Sequence, residues 1–359
     1  MTASSLEKQF VELYGQEPQA IVFAPGRVNL LGEHTDYNDG LCLPMALMQR
    51  ANIALRINDL SKVRISSCQE PGSVERQDLD KPQGHWSDTV VGVVTTLRRA
   101  GHQVETVDCL IDSDVPVGAG VSSSAAICVA MLRGMNQLYD LGLDAVQIAK
   151  LAQVVENEFL GLSVGLMDQM ASSVGEPGKV LLFDTQDDST RALELPEGTS
   201  VIVINSGVKR RLVGSEYNDR RASCEAAART LGVKSLRLAS LDAVTSQLAD
   251  VELKRARHVV TENLRVEAAV KAIASGDMQS LGQLMNQGHQ SLSQDFEVSV
   301  PEVDALVATC QSSGALGARI TGAGFGGCVV VLTTPGKAPA VLDAALAHEG
   351  TSLVAQIDS

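Results

Sequence analysis

The chain has 359 residues, 45% of them apolar and 20% charged, and a formal net charge of −14. That length exceeds one small core and predicts two domains, while the composition is that of a folded globular protein rather than a disordered or fibrous one. The acidic balance excludes a broad nucleic-acid surface, which needs clustered Lys and Arg, though local cations can still receive a small anionic ligand. From the N-terminus, Met1 to Gln9 is polar and carries no secretory pattern. Ile21, Phe23, Val28, Leu30 and Leu31 then read as an extended segment, interrupted by Arg27, Asn29, Glu33, His34 and Asp36. Such groups are seldom buried without partners, so Pro25 to Gly40 reads as a site threaded through a core, ending in a turn at Asn38-Asp39-Gly40. A structural Arg27–Glu33 ion pair is the simpler alternative for this stretch.

Ala51 to Ile57 and Val63 to Ser67 alternate as strands do, and Ser87-Asp88 marks the start of a helix running to Arg99 and stopped at Gly101. A strand from about Val104 to Asp112 leads into Gly118-Ala119-Gly120-Val121-Ser122-Ser123-Ser124, after which Ile127, Met131, Met135 and Leu138 share one helix face. The order strand, glycine loop, helix suits an anion: backbone N–H groups can turn toward it and the helix start adds positive potential. A Gly/Ser connection whose serine merely caps the helix is the alternative for this loop taken alone. No Walker sequence occurs in the chain, so a nucleotide here needs another phosphate loop.

Asp144 with Gln147 forms a capping pair for a helix with Ile148, Leu151, Val155 and Phe159 as its apolar stripe and Glu156 near its end. Asp168 follows as a lone acid in the apolar, glycine-broken run from Gly161 to Met170, where it needs a cation or a task. Val180 to Asp184 and Val201 to Asn205 read as strands, and the charged segment between them as a domain junction, giving domains 1–192 and 193–359. Lys209-Arg210-Arg211 precedes a helix with Ser215 as its N-cap and Arg220-Arg221 along it, and helical patterns run on to about residue 313. Thr321 to Cys328 matches G-x-G-x-x-G literally, but a strand pattern follows it where a dinucleotide site requires a helix. These glycines therefore read as close-packed backbone beside a ligand or another loop.

No apolar run approaches the ~20 residues of a membrane span. The seven cysteines include no C-x-x-C pair, which suits reduced thiols in a cytoplasmic protein, and the six dispersed histidines show no zinc spacing.

Taken together, Pro25 to Gly40, Val115 to Ala126, Gly165 to Gln169, Gly214 to Tyr217 with Arg220-Arg221, and Thr321 to Cys328 resemble, in order, the motifs of the GHMP small-molecule kinases, and the first is similar to the galactokinase signature. The resemblance implies an α+β chain in two domains, a ribosomal S5 domain 2-like N-terminal domain and a ferredoxin-like C-terminal domain with the active site between them. It implies ATP-dependent phosphorylation of the C1 hydroxyl of α-D-galactose, the first committed step of galactose catabolism, with MgATP as co-substrate and the protein a monomer. Glu33, His34, Thr35, Asp36, Gly165 and Tyr217 would hold the sugar, and Gly118, Ala119, Gly120, Val121, Ser122, Ser123 and Ser124 the nucleotide. Ser124 and Glu156 would serve the magnesium ion, and Asp168 as base and Arg27 as cation would flank the transferring group. A kinase for a related sugar, or a galactose- and ATP-sensing regulator without turnover, are the alternatives, and the intact Arg27, Ser124, Glu156 and Asp168 set favours the enzyme. The departures are Val121 where Leu is usual, Ala323 where a third glycine is common, and a short end at Ser359.

Overall fold

The computed structural model describes residues 3–209 and 213–359, so Arg210 and Arg211 of the basic run lie outside the described residues, as does the side chain of Ser215. Helix α1 (Ala3–Tyr14) precedes strands β1 (Ala20–Asn29), β2 (Leu41–Cys42), β3 (Pro44–Ile57), β4 (Val63–Ser67) and β5 (Ser73–Arg76). Helix α2 (Asp88–Arg99), β6 (Val107–Ser113), α3 (Ser123–Tyr139), α4 (Ala145–Val154) and α5 (Met167–Val174) follow. After β7 (Val180–Asp184), β8 (Ser189–Leu193) and β9 (Ser200–Asn205) come α6 (Val213–Thr230), α7 (Leu241–Gln247), α8 (Asp250–Ser275), α9 (Met278–Gln294) and α10 (Pro301–Ser312). The chain closes with β10 (Gly317–Ile320), β11 (Cys328–Thr333), α11 (Ala338–Leu346) and β12 (Ser352–Asp358).

Two compact units divide the chain, and each is assembled from three segments. The first comprises the chain up to Gly26, Gln49–Val117 and Ser122–Val174; the second comprises Arg27–Met48, Gly118–Val121 and Gly175–Ser359. The chain therefore passes from one to the other within β1 and again within β3. The signature stretch from Arg27 onward and four residues of the glycine loop count with the second unit, so the two units interleave along the sequence.

In the first unit β3 pairs antiparallel with β6 from Ala51↔Ser113 to Ile57↔Val107, β6 pairs parallel with β4, and β4 pairs antiparallel with β5. Period-2 alternation gives this sheet two buried faces. Ile53, Leu55, Val107, Cys109 and Ile111 join Val90, Val94, Met131 and Met135 of α2 and α3 in one core, while Ala54 and Leu110 meet Leu6 and Phe10 of α1. Burying a side chain of this size contributes ~1.5–3 kcal/mol, so the helix stripes and strand alternation act on the same core.

The expected elements need three corrections here. Ser87 occupies the α2 N-cap but makes no side-chain cap, and Asp88 instead ties down the preceding loop, its carboxylate accepting from the Gln83 and His85 amides and pairing with Arg76. The strand expected from Val104 begins at Val107, because the Glu105 amide is taken by the Tyr139 hydroxyl at 3.0 Å. The capping box of Asp144 and Gln147 forms as expected, but the helix turns π-helical over Val155–Phe159. There Leu160 N–H bonds the Val155 carbonyl, and Phe159 packs where Gly92 of α2 lacks a side chain. Such widened turns recur at functional sites.

In the second unit β10, β11, β9 and β12 form an antiparallel sheet, with a bulge between Leu353 and Ala355. Ile202, Ile204, Val329 and Val331 on its one face share a core with Val259 of α8, Leu292 of α9, Leu306 of α10 and Val341 of α11. Every β11 residue is buried, which explains its unbroken apolar run. A second set of strands joins β2 and β8 to β7, and β7 to Met45 at the start of β3. The segment read as a junction thus contains strand β8. Ser215 falls inside α6 rather than ahead of it.

Candidate active site

The glycine loop reaches α3 through left-handed backbone at Gly118 (φ 76°), Gly120 (φ 81°) and Ser122 (φ 60°). Ser122 stands at the N-cap yet makes no side-chain cap, which removes its reading as a helix cap. Its hydroxyl instead donates to Asp168 Oδ2 at 2.5 Å. Two residues on, Ser124 Oγ donates to Glu156 Oε1 at 2.6 Å, and Glu156 Oε2 accepts from Gln169 Nε2. Asp168 lies in the first turn of α5, a helix that the glycine-broken pattern concealed, and Glu156 lies in the π-helical turn. In the first unit the structure therefore brings Ser122, Ser124, Glu156 and Asp168 together around the helix start. Gly165 is buried two residues before α5.

Arg27 belongs to the second unit and is buried there at the end of β1. Its amide bonds the Val121 carbonyl at 3.0 Å and its Nη1 donates to the Gly120 carbonyl at 2.6 Å. A role in holding the loop backbone was not legible in its sequence position.

The signature turns sharply after β1. Gly32 (φ 89°) is required at its position, since a Cβ there would lie 2.3 Å from the Leu41 carbonyl oxygen. His34 takes φ 62°, an unusual value for a non-glycine residue. The Asn38 and Gly40 amides both return to the Thr35 carbonyl at 2.9 Å, forming the expected turn. Thr35, expected to hold sugar, is fully buried and places its hydroxyl 2.8 Å from the Gly32 and Leu41 carbonyls, where it holds the turn closed.

Glu33 is buried, and its Oε1 accepts from Thr321 Oγ1 at 2.9 Å and from the Gly322 amide at 2.7 Å. Burial pushes its carboxyl upward, while the charges of Arg319 and Arg27 and these two bonds pull it back. The glycine run at Thr321–Gly327 is thus close-packed backbone against the signature, as expected. Gly324 lies where a Cβ would meet Val298, and Gly326 where one would meet the Val208 carbonyl.

His34 sits in an aromatic group, 5.5 Å from the Tyr217 ring and 4.6 Å from Phe296, with Nδ1 2.9 Å from the Tyr37 hydroxyl. Burial pushes the imidazole down to about 3, so near neutral pH the ring is uncharged and offers one donor and one acceptor. Asp36 is half-buried in the same turn. The second unit therefore gathers Glu33, His34, Asp36 and Tyr217, whereas Gly165 and Asp168 belong to the first.

Sequence reasoning missed Thr321, Phe296, Gln169 and, above all, Glu262, Arg319 and His258 of the second unit. Two signals were present: Glu262 falls on the apolar stripe of α8 with Val259 and Val266, and Arg319 stands between Ala318 and Ile320 in a core strand. Among the described residues no group of three or more His, Cys, Asp or Glu is placed to hold a metal ion.

Comparison with known proteins identifies the family. The galactokinase galactose-binding signature matches residues 8–57, the GHMP kinases N terminal domain residues 88–176, and the GHMP kinases C terminal domain residues 269–350. Among solved structures, Lactococcus lactis galactokinase complexed with galactose is similar at a TM-score of 0.92 and 31% identity, covering 98% of this chain and 96% of that one. Methanococcus jannaschii mevalonate kinase matches at 0.72 and 18% identity over 95% and 98% of the two chains. Streptococcus pneumoniae phosphomevalonate kinase matches at 0.71 and 14% over 94% and 99%. With its signature, both domain models and a full-length structural relative in agreement, the chain belongs to the galactokinase family of GHMP kinases and is a sugar kinase with the mixed α/β fold of that group.

Proposed function

We propose that this sugar kinase transfers the γ-phosphoryl group of ATP to the C1 hydroxyl of α-D-galactose, producing galactose 1-phosphate and ADP, the first committed step of galactose catabolism. The observation that carries the reading is the pair of serine–carboxylate contacts at the start of α3, Ser122 on Asp168 and Ser124 on Glu156. One carboxylate can take a hydroxyl proton and the other can serve a cation, beside a loop rich in backbone donors. The galactose in the Lactococcus lactis relative supports the choice of sugar.

Phosphoryl transfer needs positioning and charge neutralisation more than covalent help. Gly118 to Ser124 would cradle the phosphates through backbone amides and the positive end of α3. A hydroxyl and a buried carboxylate 2.6 Å apart are hard oxygen donors, and Mg²⁺ characteristically takes one or two protein oxygens together with water and phosphate, so Ser124 and Glu156 fit it. When bound, Mg²⁺ neutralises charge on the phosphate oxygens. Asp168, oriented by Ser122, accepts the C1 hydroxyl proton. Arg27 steadies the loop through Gly120 and Val121 and stabilises charge on the transferring group.

Glu33, His34, Thr35, Asp36, Gly165 and Tyr217 hold the sugar, with the Thr35 hydroxyl also closing the turn that carries the first four. The same reading divides the sequence near residues 192 and 193, within the stretch between the N-terminal match ending at 176 and the C-terminal match starting at 269. It also takes the protein to be a cytoplasmic monomer; no described helix is long and apolar enough to cross a membrane. The test is ATP consumption with galactose, glucose, galactosamine, N-acetylgalactosamine and mevalonate, with phosphorus NMR to locate the new ester. Preferred turnover of galactose at C1 supports the proposal, and preference for another substrate or position overturns it.

A further inference from the structure

Two backbone groups of the signature are captured by side chains one helical turn apart on α8. Glu262 Oε1 accepts from the Gly32 amide at 2.8 Å, and His258 Nε2 lies 3.1 Å from the Glu33 carbonyl, to which it donates. The same Glu262 oxygen accepts from Arg319 Nη1 at 2.8 Å, and its other oxygen accepts from Arg265 Nε at 2.7 Å. Both partners of the Glu262–Arg319 pair have 0% side-chain exposure. Arg319 is also the largest opposing charge acting on Glu33. One guanidinium therefore bonds the carboxylate of Glu262 and also lends its charge to Glu33 of the signature.

The surroundings make room for this arrangement. A Cβ on Gly288 of α9 would lie 2.4 Å from Arg319 Nη1, so the guanidinium reaches Glu262 through space that only glycine leaves. His34, next in line after the two captured groups, holds a positive φ that persists only where its surroundings impose it. A buried ion pair is a poor device for stability alone, because apolar residues of similar volume commonly do as well. Its use here lies in fixing one geometry.

We infer that the Glu262–Arg319 pair, with His258, forms a set of positioning residues that orient Glu33 and His34 toward the sugar, so that they set galactose affinity without contacting the nucleotide. The inference rests on the proposal that Glu33 and His34 hold the sugar. The experiment is steady-state kinetics of the double variant Glu262→Met/Arg319→Met, which removes both charges and keeps the volume apolar. Glu262→Gln serves as the conservative companion, retaining an acceptor for the Gly32 amide. The double variant is expected to fold, to keep its KM for ATP within about twofold, and to raise its KM for galactose by about 10- to 100-fold, the scale of a misplaced binding group. Glu262→Gln is expected to recover most of that loss.

An unchanged galactose KM in the double variant overturns the inference. So does an unfolded protein, or equal weakening toward both substrates, since the pair would then be structural. His34→Ala and Glu33→Gln run in parallel separate the two claims. If they leave galactose KM unchanged the sugar assignment itself fails, whereas if they raise it while the double variant does not, only the positioning role fails.

Discussion

Lowering the pH from 7.5 to 5 should destabilise the protein through histidines that its core holds neutral. His258 is fully buried and is pushed down to about 4, chiefly by burial; His34 and His289 are pushed down to about 3 and about 4 for the same reason. The unfolded chain titrates near the ordinary 6.5. Between 6.5 and 4 it binds protons that the folded chain refuses, so this stability is fully present above 6.5 and is lost as pH falls through that window. For His258 alone the loss at pH 5 is ~2 kcal/mol, and the three together set a slope of up to ~1.4 kcal/mol per pH unit for each histidine. Urea titrations at pH 7.5, 6.0 and 5.0 measure it, with His258→Asn as the reference that lacks one titrating group. Carboxylates do not mimic the effect: Glu297, drawn down to about 2 by Lys254 and Arg255, loses its contribution only below about pH 4.5. Equal stability at pH 7.5 and 5, or the same slope in His258→Asn, would refute the reasoning.

Three substitutions test separate parts of the site. Glu156→Gln should raise the magnesium concentration needed for half-maximal rate and depress turnover while galactose binding is kept, and an unchanged magnesium dependence sinks its assignment. Asp36→Ala should weaken galactose binding by ~1.5–3 kcal/mol, as for a lost hydrogen bond to a charged group, and leave ATP affinity in place when both are measured by calorimetry. Thr35→Val removes the hydroxyl that faces the Gly32 and Leu41 carbonyls and should cost ~1–3 kcal/mol of unfolding free energy. Folded Thr35→Val that binds sugar normally would remove Thr35 from the sugar set and leave it only the turn.

Much of this molecule can be read locally. Helix α3, the capping box at Asp144 and strands β4 and β7 follow from periodicity and turn chemistry that act within a few residues. The loop serines were legible as a group at a helix start, but their partners were not, because Ser122 and Asp168 lie 46 residues apart and Ser124 and Glu156 lie 32 apart. The π-helical turn that carries Glu156 has no local composition to announce it. The backbone contacts of Thr35 were not legible either, because only the Gly32 fold-back brings the Gly32 and Leu41 carbonyls to its hydroxyl. The interleaved units escaped a linear reading for a simple reason: β1 and β3 each run across the change, without any break in strand pattern.

The account turns on Asp168 as the group that takes the proton from the sugar. Asp168→Asn keeps the size of the side chain and an oxygen to accept from Ser122, but removes its basicity. Single-turnover phosphorylation of galactose by this variant, with galactose and ATP binding measured on the same preparation, is the most direct test. The account predicts a stable protein that binds both substrates while its rate falls by about 10²- to 10⁴-fold, the worth of a positioned general base. A near-normal rate in a protein with a lowered melting temperature would contradict it and leave Asp168 a structural carboxylate.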